Sequence, residues 1–134
     1  MNRKTIVEAV KAISLAKGYS FFSTTKEQLP AQVTAYPALC LQPLQFRKME
    51  GRKHGKITYS ITLNMLVQAA KMNPSSYEER WAQMENDMLT MLAELSSNEK
   101  VIAIEQASLK GDYATLTSSG ELSLTATAEV VTFF

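Results

Sequence analysis

Cysteine, histidine and tryptophan each occur once in these 134 residues, and glycine and proline only five and four times. The lone Cys40 cannot close an internal disulfide. It lies in the apolar run Tyr36 to Leu41 and reads as a small buried hydrophobe of a reducing compartment. Its distance from the single histidine, fourteen positions (40 to 54), gives neither CxxC nor HExxH spacing, so no metal site is expected. The glycines, at 18, 51, 55, 111 and 120, form no phosphate-cradling loop, and no cofactor is expected. An excess of one charge is also missing. The 14 basic and 13 acidic residues argue against a nucleic-acid coat or a solvating acidic tail. No apolar run approaches the ~18 residues needed to cross a bilayer, so no membrane partner is expected. The start, MNRKTIVEAVKAI, carries Glu8 where a signal peptide stays apolar. The expectation is a protein made and used in the cytosol.

What remains is an ordinary globular composition, 46% hydrophobic and 20% charged, at the usual length of one domain, here 1–134. Asn2 or Thr5 can cap a first helix with Ile6, Ala9, Val10 and Ile13 at helical spacing, and Gly18 is placed to end it. Tyr19 to Gln32 has no sustained period and reads as a loop packing through Phe21 and Phe22. Tyr36 to Lys48 reads as a strand whose Pro37 and Pro43 place it at a sheet edge or give it a bulge. It pairs across the turn Met49 to Gly55 with the longest pattern in the chain. Between Ile57 and Ala69, apolar residues (Ile57, Tyr59, Ile61, Leu63, Met65, Val67) alternate with polar ones (Thr58, Ser60, Thr62, Asn64). Such a strand would reach ~40 Å, more than the about 36 Å breadth expected of a compact chain this size. After the break "MNPSS", Ser76 and Glu79 have capping-box spacing. Tyr77, Trp81, Met84, Met88, Met91, Leu92 and Leu95 then form a helical apolar stripe, opposite an acidic face of Glu78, Glu79, Glu85, Asp87 and Glu94. The stripe reads as core, with a pliable methionine-rich binding surface as the other reading. Val101 to Lys110 is a third strand, Gly111 to Tyr113 a turn, and Glu121 to Phe134 a fourth. The expected fold is α+β in two layers, with order α-β-β-α-β-β. A mainly antiparallel four-stranded sheet with a long β-hairpin packs against two helices.

No catalytic set emerges. His54 would need a carboxylate to orient it, whereas Arg52, Lys53 and Lys56 beside it disfavour the imidazolium that catalysis creates. A non-enzymatic protein is therefore expected. The clearest charge feature is "RKMEGRKHGK", with Arg47, Lys48, Arg52, Lys53, His54 and Lys56. It reads as a solvated hairpin tip, as a grip on an acidic protein surface, or as a grip on phosphates. The absence of an aromatic there counts against specific single-strand recognition. Glu78, Glu79, Glu85 and Asp87 form the opposite-sign surface. The two sets are candidate subunit or partner contacts, complementary as a head-to-tail assembly requires.

The segments "AYPALCLQP", "KITYSITLNMLVQA", "SYEERWAQMENDMLTMLAEL" and "GELSLTATAEVVTFF", in this order, resemble the tail terminators of long-tailed bacteriophages. The resemblance implies a structural virion protein, assembled in the host cytoplasm as a hexameric ring on the tail tube protein and meeting the head or neck connector. DNA would pass through its lumen without sequence-specific contact. The alternatives are a head-side neck joining protein, or a small monomeric or dimeric binding module. On this reading the long strand outruns its own domain to reach a neighbouring subunit.

Overall fold

The computed structural model describes residues 2–25, 27–28, 32–69, 73–112 and 120–134. Helix α1 (Asn2–Ala16) buries Ile6 and Val10, and Gly18, at φ +84°, turns the chain out of it. Asn2 donates instead to Thr132 Oγ1 and to the Phe133 carbonyl, tying the helix start to the far end of the chain. Strands β1 (Ser20–Ser23), β2 (Ala38–Leu41), β3 (Gln45–Glu50) and β4 (Lys56–Gln68) follow. A 3-10 turn, Pro74–Ser76, leads into α2 (Tyr77–Ser96), and β5 (Val101–Asp112) and β6 (Glu121–Phe133) close the chain.

The fold is α+β, with two helices on a six-stranded, mostly antiparallel sheet of order β1-β2-β4-β6-β5, and β3 beside β4. The expected count of four strands is corrected in two places. Residues 20–23, read as loop, pair in parallel with β2. Four residues are too few for alternation to show, and only the partner makes them a strand. The expected strand 36–48 is cut at Gln42 to Leu44 into β2 and β3, both antiparallel to β4. Pro43, which lacks an N–H, sits in the gap.

The length of β4 has a simpler cause than a neighbour. All thirteen of its residues pair with β6, from Lys56 opposite Phe133 to Gln68 opposite Glu121. Two long strands satisfy each other's backbone, and β4 does not outrun its domain.

Its odd-numbered residues Ile61, Leu63, Met65 and Val67 share a buried face with Leu122, Leu124, Ala126, Ala128 and Val130 of β6. Met84, Met88, Met91, Leu92 and Leu95 of α2 cover that face, so the methionine stripe is core. Fully burying each such side chain is worth about 1.5–3 kcal/mol. The expected capping box does not form, because Ser76 has helical dihedrals and makes no side-chain cap hydrogen bond. On the other face Ala38, Cys40 and Leu66 form a smaller cluster with Phe22, Val33 and Tyr36. Beside it Gln42 donates to Asn64 (2.9 Å) and Asn64 to Thr125 (3.0 Å), which satisfies a buried amide. Lys26, Leu29, Pro30 and Ala31 of the expected loop, Ala70 and Met72 around the strand break, and Tyr113 of the expected turn lie outside the described residues.

Candidate functional site

The hairpin places the basic residues at one end of the sheet. All six residues of β3 are exposed, and among the described residues its outer edge has no partner strand. The register with β4 slips between Phe46 and Lys48, leaving Arg47 in a bulge. That slip has a consequence for side chains. Phe46 and Met49, three apart, would face opposite sides of a regular strand. With the bulge they stand opposite Tyr59 and Ile57, both on the helix-bearing face. They are 56% and 58% exposed, and the Phe46 ring meets Tyr59 edge-on at 6.0 Å. This apolar pair was not singled out from the sequence. Alternation was visible there, but the bulge that aligns the two residues was not.

Lys48 lies 3.0 Å from Glu50, and this contact raises the pKa of the ammonium above its ordinary value. Arg52, Lys53 and His54 are exposed on the turn, and Lys56 is exposed opposite Phe133. Gly55 is required here. A Cβ would collide with the Glu50 carbonyl oxygen and the Phe134 ring, and the Phe134 N–H donates to the Gly55 carbonyl (3.2 Å). The chain end thus pins the hairpin tip.

Glu78, Glu79 and Glu85 are exposed on α2, as expected. Leu89, 55% exposed, follows Glu85 by one turn of the same helix. The start of α2 lies at the opposite end of the sheet from the tip. There Trp81 Nε1 donates to the Ser123 carbonyl (3.3 Å), ten residues or roughly 34 Å along β6 from Phe133. The structure therefore does not bring Glu78 and Glu79 to the basic tip within one molecule. Asp87 departs from the expected outer face. It is half-buried and accepts a hydrogen bond from the Tyr19 hydroxyl at 2.7 Å. Glu94 stays exposed, as expected, and lies 3.2 Å from Lys17.

Around Asp87 is a cavity of about 430 Å³. It forms where the chain leaving α1 (Lys17, Tyr19), the approach to β2 (Tyr36, Pro37), the end of β4 (Val67, Gln68) and the first turns of α2 (Arg80, Gln83, Met84) converge. Arg80 Nη1 donates to Gln83 Oε1 (3.2 Å), while its buried Nε has no partner among the described residues. Burial and the hydrogen bond to Asp87 push the Tyr19 phenol pKa well above its ordinary value. Among the described residues, no three His, Cys, Asp or Glu side chains come together as metal ligands, and no helix is long and apolar enough to cross a membrane.

No family model and no curated protein matches the chain. Among solved structures it is similar to the type 4 fimbrial biogenesis protein PilO from Pseudomonas aeruginosa. The TM-score is 0.45 at 11% identity, over 98% of this chain and 68% of that one. The expected place among phage tail terminators is corrected by this result. A structure it matches is a fimbrial biogenesis protein, and neither a terminator nor a neck family model matches. The misreading has a physical source, since long alternating strands around an amphipathic helix are common to many two-layer folds. The tail tube, the connector, the DNA-filled lumen and the virion location were implied by that resemblance alone and are not carried forward. At this identity and TM-score the likeness to PilO carries no functional argument.

Proposed function

We propose that residues 1–134 form a single, non-enzymatic assembly module whose copies associate head to tail. The hairpin tip of one copy rests on the outer face of α2 of the next. The observation that carries this reading is the exposed apolar pair Phe46 and Met49 on an unpaired edge strand, next to the cations Arg47, Arg52 and Lys53. The face that complements it is on the same molecule. Glu78, Glu79 and Glu85 supply opposite charge and Leu89 an apolar contact, on a helix that starts at the far end of the sheet from the tip. Two different, complementary surfaces on one chain are what a heterologous contact between copies uses. The bulge at Arg47 and the charges along β3 discourage an uninterrupted backbone ladder, so the contact runs through side chains.

Native mass spectrometry and sedimentation velocity test this. The wild-type chain is expected to associate, and to do so less as salt rises. Arg52→Glu with Lys53→Glu, and separately Glu78→Lys with Glu79→Lys, should each abolish association, while an equimolar mixture of the two variants should recover heterodimers. A wild-type chain that stays monomeric at near-millimolar concentration sinks the proposal, as does association indifferent to both charge reversals.

A further inference from the structure

We infer that the β3–β4 hairpin is also a docking surface for an anionic phospholipid bilayer, which it meets through the face that bears Phe46 and Met49. This does not rest on the head-to-tail reading, because a free copy and the leading copy of a row both present an unoccupied hairpin. Docking on a surface needs no spanning helix, so the absence of a long apolar run does not bear on it.

Exposed apolar side chains gather on that face. Phe46 stands opposite Tyr59 and Met49 opposite Ile57, and Phe134 lies two residues beyond Thr132, which is itself opposite Ile57. The Phe134 ring rests over Gly55, where a side chain would otherwise stand. The three form a stripe along the hairpin, and each is exposed. Cations border it. Positions 47–56 hold five of the 14 Lys and Arg against a single acid, Glu50. Glu50 faces Lys48, whereas Arg47, Arg52, Lys53 and Lys56 are exposed and make no ion pair among the described residues. Arg3, next to the Asn2 that donates to the Phe133 carbonyl, adds an exposed cation at the same end of the molecule. Aromatic and thioether side chains that enter the acyl boundary, beside cations that stay at the level of the phosphates, suit an anionic lipid interface. Nucleic acid would meet the same cations but leave the aliphatic Met49 and its neighbours without hydrocarbon contact, so lipid is the better fit.

The test is flotation of the whole chain with vesicles of phosphatidylcholine alone or mixed equally with phosphatidylglycerol. Binding to the mixed vesicles that falls as salt rises, and none to phosphatidylcholine alone, is expected. A cation near an anionic surface is worth about fivefold in partition, so Arg52→Glu with Lys53→Glu should cut binding about 25-fold or more. Phe46→Ser with Met49→Ser leaves the charges unchanged and should cut it about tenfold or more, and a thermal melt checks that this variant remains folded. Glu78→Lys with Glu79→Lys leaves the hairpin intact, so it should float at least as well as the wild type although its head-to-tail association is lost. In Met49→Trp, vesicles with brominated acyl chains should quench the added indole and spare Trp81, at the far end of the sheet. A wild type that floats but stays monomeric in lipid-free solution would sink the head-to-tail reading and support this one. The docking proposal is overturned if neutral vesicles bind as well, if either hairpin variant floats like the wild type, or if Glu78→Lys with Glu79→Lys no longer floats. An unquenched indole at position 49, or a DNA duplex bound as tightly as the mixed vesicles, overturns it too and leaves a general polyanion site.

Discussion

The Tyr19 hydroxyl donates to Asp87 Oδ2 across 2.7 Å, joining the exit of α1 to the middle of α2. This bond turns one carboxylate of an otherwise solvated helix face inward, so it shapes the cavity and ties the exit of α1 to α2. Replacing Tyr19 by Phe leaves the ring packed and removes the donor. A loss of roughly 1–2 kcal/mol is expected in urea denaturation at neutral pH. The pH dependence has a definite sign. The folded phenol has a raised pKa, so above about 10, its ordinary value, the unfolded chain loses the proton first. The unfolded state then binds fewer protons than the native state, and stability falls as pH rises. Tyr19→Phe should flatten this alkaline slope. A variant whose stability declines as steeply as the wild type above pH 10 would assign the slope to other groups.

Gly55 and Gly18 make a controlled pair. At Gly18 an added Cβ meets open space, and the cost comes only from φ +84°. At Gly55 it meets the Glu50 carbonyl and the Phe134 ring, and the carbonyl belongs to a hairpin backbone that cannot move freely. Gly18→Ala should therefore cost about 1 kcal/mol, and Gly55→Ala roughly 2 kcal/mol or more. Thermal melts of the two variants decide it, and equal or reversed costs would mean that Phe134 does not pin the tip.

Cys40 is fully buried against Ala38 and Leu66, and burial pushes its thiol up to about 12. The thiolate is the reactive form, so the native protein should react with a disulfide reagent at neutral pH far more slowly than the urea-unfolded chain. Equal rates would place the thiol in contact with solvent. The linkage runs in the same direction as for Tyr19. Above about 9, the ordinary thiol value, the unfolded chain deprotonates first and stability falls with rising pH.

Much of the fold was legible wherever a pattern repeated. The strand at 56–68, the helix at 77–96 and the closing strand at 121–133 each carry five or more apolar residues in one period, and each is found where expected. Short or broken segments were not legible. The four residues of β1 hold too little pattern, and the capping-box spacing at Ser76 and Glu79 did not become a cap. Of the candidate site, Arg52, Lys53 and His54 were correctly assigned to an exposed turn, because charge and glycine cluster there. The cavity was invisible. Its lining comes from four stretches of chain between positions 17 and 87 that share no motif.

Read alone, the sequence determined the long elements, their buried faces and the basic hairpin tip, since these depend on neighbours two to four positions away and on local charge. The tertiary structure alone decided what long-range pairing controls. It matched β4 to β6 over thirteen residues and so accounted for a strand that looked too long. It also placed a bulge at Arg47 that turned Phe46 and Met49 to one face, and drew Asp87 to Tyr19 from sixty-eight positions away. Such contacts depend on which distant segments meet, and no periodicity within a segment records that choice.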